Sequence, residues 1–105
     1  MYDYDVGPGW SEIVKPLINF VESNGGRIIS VTEKFGALRF NYEEPENYEE
    51  KVWNDFEKLV YQAENKSMEV CEYTGEPGTI RNVNGWFKCV SDEKYKELTS
   101  SNFSH

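Results

Sequence analysis

Histidine is almost missing from this chain: the one copy, His105, is the last of 105 residues. A terminal side chain is rarely held in place, so no catalytic role is expected of it, and Ser–His and Cys–His nucleophile pairs lack their base. Cysteine is nearly as scarce. Cys71 and Cys89 could form one disulfide by count, but in a reducing cytosol two free thiols are the expectation. Neither has a visible activating base beside it, so no enzyme and no cofactor are expected. Cations are outnumbered, 11 Lys and Arg against 19 Asp and Glu, for a net charge of −8. That excess argues against nucleic-acid binding through phosphate counterion release and against anionic membrane surfaces. No apolar run approaches the ~20 residues that cross a bilayer. Met1-Tyr2-Asp3-Tyr4-Asp5 lacks the basic start and apolar run of a secretory signal, and a cytoplasmic protein is expected.

Aromatics, by contrast, are plentiful: three Trp, seven Tyr and six Phe. Disordered segments are poor in such residues, so the chain is expected to fold as a single domain over 1–105, burying roughly two-thirds of its unfolded surface. Residues 1–9 read as an extended or turn-rich lead-in with Gly7-Pro8-Gly9 as a breaker. Trp10, Ile13, Val14, Leu17 and Val21 then recur at helical spacing, predicting a helix over 11–23 with Ser11 as N-cap. Arg27 to Thr32 is rich in β-branched residues and predicts a strand. After a turn at Glu33-Lys34-Phe35-Gly36, Leu38, Phe40 and Tyr42 alternate with polar positions, as in a half-buried antiparallel strand. Phe35 at the tip is expected to fold under into the core. A helix over about 47–68 carries a stripe of Val52, Phe56, Leu59, Val60 and Ala63. The last third predicts short strands at Thr79–Arg81 and Trp86–Val90, a helix from Glu93 to about Leu98 capped by Ser91-Asp92, and a frayed tail over 99–105. The fold class is α+β: helix, antiparallel hairpin, long helix, then a small β-rich module over 70–98.

Residues 9–94 resemble a family of small uncharacterised proteins of bacteria and their phages. The likeness rests on Gly9-Trp10, on Val31-Thr32 leading into Lys34-Phe35-Gly36-Ala37-Leu38-Arg39-Phe40, and on Gly75, Pro77, Gly78, Gly85 and Trp86 in the last third. The resemblance implies that the β-rich module derives from a zinc ribbon, with four Cys or His ligands in a Cys-x-x-Cys knuckle and a Cys-Asp-x-His end. At those four positions this chain has Cys71, Thr74, Ser91 and Lys94, so the scaffold is expected to persist without its metal. Packing must then replace the ion, and Tyr73, Ile80, Trp86 and Phe87 are expected to supply it as core.

Five glutamates, Glu43, Glu44, Glu46, Glu49 and Glu50, fall within eight residues. They form either a solvated loop and helix start or an acidic surface that meets a basic partner. Tyr2-Asp3-Tyr4-Asp5 is a second acidic and aromatic cluster. The leading expectation is a non-enzymatic inhibitor or immunity-type protein that neutralises a toxin or nuclease. Its partner surface is Glu43, Glu44, Glu46, Glu49 and Glu50, with Asp3 and Asp5 second. Two alternatives remain open: a phage-encoded inhibitor of a host defence protein, and a nucleic-acid-binding adaptor derived from the ribbon, using Arg81, Trp86, Phe87 and Lys88.

Overall fold

A computed structural model describes residues 2–100. Its centre is a hairpin of β2 (Arg27–Lys34) and β3 (Ala37–Glu43), antiparallel from Arg27↔Glu43 to Lys34↔Ala37, with a bulge between Ile28 and Ser30. The two-residue turn Phe35-Gly36 has positive φ at both positions, 55° and 87°. Such a turn matches the right-handed strand twist and favours Asn or Gly. Phe35 accepts the left-handed conformation at a cost of about 1 kcal/mol. Its ring is exposed rather than folded under, because the turn carries it past the last sheet residues. The lead-in holds a strand that the sequence reading missed. β1 (Asp3–Asp5) pairs in parallel with β2, Asp3 opposite Ser30 and Asp5 opposite Thr32, giving sheet order β1-β2-β3.

Two helices, α1 (Ser11–Ser23) and α2 (Glu50–Ser67), bury their apolar faces against Val31, Leu38 and Phe40 of the sheet. Ser11 is the first helical residue, not the cap; a 3-10 turn over Pro8–Trp10 enters the helix and no side chain caps it. Pro16 lies inside α1 and removes one intrahelical hydrogen bond. On α2 the buried line is Trp53, Phe56, Val60 and Ser67, whereas Val52 and Leu59 are exposed. Phe56, Val60 and Ala63 of the expected stripe pack on the core, while Trp53 takes the place of Val52 and Leu59 because its larger side chain dominates the packing. Phe56 is the hub: Phe20 stacks on it at 4.2 Å, and Tyr42 and Trp53 meet it edge-on at 5.1 and 5.6 Å. Burying a ring of this size contributes about 2–3 kcal/mol. α2 also closes the outer edge of the sheet. The Leu38 N–H donates to Ser67 Oγ at 2.9 Å and the Phe40 N–H to Glu64 Oε2 at 3.1 Å, so an edge open to strand pairing is satisfied by side chains.

The last third is a second hairpin, β4 (Thr79–Val83) and β5 (Trp86–Val90), followed by α3 (Asp92–Ser100). Ser91 Oγ accepts the Lys94 N–H at 3.1 Å, the cap expected there. Thr99 and Ser100 continue the helix; the rest of the expected tail, 101–105, lies outside the described residues. Cys71, Val83 and Val90 form a small core of their own with Tyr73, Tyr95 and Leu98, while Cys89 belongs to the main core. The two parts are tied through the Gly-Trp opening. Trp10 is fully buried and its Nε1–H donates to the Val70 carbonyl at 2.8 Å. The Gly9 N–H donates to the Glu72 carbonyl at 2.7 Å, and a Cβ on Gly9 would stand 2.1 Å from the Cys71 carbonyl oxygen. Only glycine permits that approach. No helix among the described residues is long and apolar enough to cross a membrane.

Candidate functional site

The five glutamates converge at one end of the sheet. Glu43 closes β3 and is held by Arg27 across the strand pair, with Nη2 and Nε at 2.7 and 3.1 Å from one carboxylate oxygen. Glu44 and Glu46 follow in the connecting loop, Glu49 is the N-cap residue of α2 and Glu50 its first residue. All five are exposed. Glu44, Glu46, Glu49 and Glu50 have no ion pair among the described residues, since nearby Lys51 turns to Asp55 at 3.1 Å. Between the loop and the helix start is a shallow cleft of about 210 Å³ walled by Pro45, Tyr48, Val52 and Trp53. Tyr48 and Val52 are large, exposed and next to the carboxylates, the mixture of apolar anchor and charge found in protein interfaces.

Asp3 and Asp5 do not join this surface. Asp3 is two strands across and three residues along from Glu43, a displacement of roughly 14 Å from strand spacings, and Asp5 is farther still. Asp5 belongs instead to the field of a partly buried charge cluster. Glu72 is buried; its Oε2 accepts the Gly7 N–H at 3.0 Å, while Oε1 has no hydrogen-bond partner. Lys88 Nζ lies 2.9 Å from Glu33 Oε1 and 4.0 Å from Glu72 Oε1. Burial pushes the Glu72 carboxyl up, with Glu33 and Asp5 adding to the rise, against the Gly7 N–H and Lys88, which oppose it. Burial pulls Lys88 down, but the hydrogen bond to Glu33 and the charges of Glu72 and Glu33 more than reverse this, and it sits above its ordinary value. Sequence reasoning missed this cluster because its members come from the knuckle, β2 and β5, with no shared spacing.

The four positions where the resemblance implies zinc ligands do not fit that ion. Burial pushes the Cys71 thiol up, but the Thr74 hydroxyl and the backbone N–H groups of Ser91, Thr74 and Tyr73 donate to the sulfur and hold it below the ordinary thiol range. Thr74 is therefore a donor to Cys71, Ser91 is a helix cap, and Lys94 Nζ lies over the Tyr73 ring at 5.1 Å and pairs with Glu97 at 3.0 Å. One thiol with a hydroxyl donor, a cap and an ammonium is no tetrahedral donor set. Among the described residues no group of three His, Cys, Asp or Glu could hold a metal ion. Cys71 and Cys89 are both free and buried. Burial pushes the Cys89 thiol up to about 11, and the charge of Cys71 adds to the rise.

The aromatics expected to replace the metal are elsewhere. Trp86 is 73% exposed, Phe87 51% and Ile80 37%; only Tyr73 packs on the small core. The reason is that Val83 and Val90, together with Tyr95 and Leu98 from α3, already fill it. The residues suited to an adaptor are also engaged. Lys88 is paired as described, and Arg81 is bonded to Asp92 with its guanidinium 4.9 Å above the Tyr95 ring. Comparison with known protein families, with curated proteins and with solved structures finds no match to this chain.

Proposed function

We propose that this chain is a non-enzymatic, cytoplasmic, acidic protein-binding module of the inhibitor or immunity type, which neutralises a toxin or nuclease by covering its basic surface. The supporting observation is the gathering of Glu43, Glu44, Glu46, Glu49 and Glu50 at one exposed end beside Tyr48 and Val52. Uncompensated carboxylates raise the association rate with a basic partner and select against acidic ones, while the tyrosine supplies an anchor of the kind that carries binding energy. A phage-encoded inhibitor of a host defence protein would use the same surface; the partner's identity separates the two.

The test is charge reversal of Glu44, Glu46, Glu49 and Glu50 to Lys, leaving the Arg27–Glu43 pair in place. A basic protein retained in stoichiometric amount by the native chain at low salt should associate with the variant at least about tenfold more slowly. Its affinity for the native chain should fall as salt rises from 50 to 300 mM, as shorter Debye lengths dictate. Unchanged affinity after reversal refutes the reading.

A further inference from the structure

α1 gives way to Asn24-Gly25-Gly26, and of the chain's asparagines only Asn24 and Asn84 precede a glycine. At such a pair the backbone can attack the side chain. The nitrogen of the following residue approaches Cγ, and where that residue is glycine no side chain shields the nitrogen. Both Asn-Gly pairs are exposed, so exposure does not separate them. Their hydrogen bonds do. The Gly85 N–H donates to Asn82 Oδ1 at 2.8 Å. Asn84 and Gly85, at φ 54° and 92°, form a two-residue turn clamped by the Val83↔Trp86 pair. By contrast, the Gly25 N–H and the Asn24 carbonyl have no hydrogen-bond partner among the described residues. A Cβ on Gly25 would meet only Pro45 Cβ, at 3.7 Å. The peptide between Asn24 and Gly25 can therefore turn in open space without breaking a bond of its own. Gly26, whose N–H donates to the Val21 carbonyl at 2.9 Å, keeps the entry to β2 in place.

We propose that Asn24 is a self-modification site, converted without an enzyme to aspartate or isoaspartate, while Asn84 is spared. The Gly25 nitrogen bonds to Asn24 Cγ. Nδ2 leaves as ammonia, taking up the proton that the Gly25 nitrogen gave up, and a five-membered succinimide remains. Water then adds at either ring carbonyl and the ring C–N bond there breaks. The chain carries a carboxylate where it had an amide, and no oxidant or cofactor takes part. One contact opposes the reaction. Asn24 Nδ2 donates to the Phe20 carbonyl at 2.8 Å, and the side chain must leave this bond before attack. The bond is exposed to solvent, so breaking it slows the reaction by no more than about tenfold against an unfolded chain. At Asn84 the attack must pull the Gly85 N–H from Asn82 and open the turn as well, which protects it by at least a further factor of about ten. The product matters because of where it lies. Asn24 is the C-cap residue of α1, where a negative charge opposes the helix dipole. It also lines the cleft beside Tyr48, Glu49 and Val52, so conversion adds a carboxylate to the glutamate end. Faster capture of a basic partner by the converted chain rests on the proposed inhibitor role; the conversion itself does not.

Incubation of the full chain at about 37 °C and about pH 8 tests this, with peptide mapping by mass spectrometry to read a gain of about 1 Da at each asparagine. In the folded chain the peptide carrying Asn24 should gain that mass first. It should elute as two products, one of them matching the same peptide from Asn24→Asp. The rate should rise with pH, because the nitrogen attacks after losing its proton. Asn84 should convert at least about tenfold more slowly. In urea, where the turn is gone, the two should convert at like rates. Asn24→Gln, whose longer side chain does not close a five-membered ring, should remove the early gain. An Asn24 still intact in the folded chain after the urea-unfolded chain has converted overturns the inference. Conversion of Asn84 as fast as Asn24 in the folded chain overturns it too. Each outcome is read as a mass at a named residue, so the inference fails or stands independently of any partner of the glutamate end.

Discussion

Lys88→Met is the most informative single substitution. Among the described residues Lys88 is the one cation bonded to Glu33 and close to Glu72, at 2.9 and 4.0 Å. Methionine keeps the apolar stem and deletes the charge. Breaking a buried pair by removing one partner costs about 3–5 kcal/mol. Here the lysine side chain is 27% exposed and Glu33 16%, so water screens part of the loss, and about 2 kcal/mol is expected. For a chain of this size that is a drop in Tm of roughly 10 °C at pH 7, read by circular dichroism. The loss must depend on pH in a set direction. Burial holds the Glu72 carboxyl above its ordinary value, and Lys88 opposes that rise, so the variant's carboxyl moves higher still. A group whose folded pKa is raised favours the fold below its unfolded value of 4.5 and loses that contribution as pH rises through the folded value. The penalty of Lys88→Met is therefore smaller at pH 4.5 than at pH 7, and smaller at pH 7 in a Glu72→Gln background. A Tm within about 2 °C of the native chain at pH 7, or a penalty equal at both pH values and in both backgrounds, refutes the reasoning.

Two further expectations follow from buried groups. Ser67→Ala leaves the Leu38 N–H buried without its acceptor and should cost about 1–3 kcal/mol in urea unfolding, with hydrogen exchange at Leu38 accelerated more than at Val31. Cys89 is fully buried with its thiol pushed up to about 11, so stability present below pH 9 should fall as pH rises toward 11. That loss is worth roughly 2–3 kcal/mol over the window, and the alkaline slope should be shallower by that amount in Cys89→Ala, where Tyr42, pushed up to about 12, still contributes; a Cys89→Ala chain with the same alkaline slope contradicts it.

The central hairpin was legible because Leu38, Phe40 and Tyr42 repeat with the period of a strand and face one core. α1 was legible for the matching reason at helical spacing. β1 was not: three residues carry no period, and Asp3–Asp5 is a strand only because β2 offers an edge. On α2, Phe56, Val60 and Ala63 were legible, but its edges were not: apolar count favours Val52 and Leu59, while volume and ring packing favour Trp53. The glutamate end was visible because its five residues fall within eight positions. The exposure of Trp86 and Phe87 was not, since it depends on how completely α3 fills the small core. The Glu72–Lys88–Glu33 cluster was equally hidden, being assembled from residues up to 55 positions apart.

The contacts of Gly7, Gly9 and Trp10 with Val70 and Glu72 have a consequence for synthesis. The first ten residues leave the ribosome long before the partners that satisfy them exist, and Cys89 of the main core emerges later still. The N-terminal two-thirds therefore cannot reach its final packing until Val70, Glu72 and Cys89 have emerged. A fragment stopped after the second long helix would display an indole with no acceptor and a core lacking one wall. Non-local closure of this kind slows folding and leaves apolar surface open in the interim. The last third thus acts as a completion step, and a premature stop codon there should send the product to proteolysis rather than leave a shorter working protein.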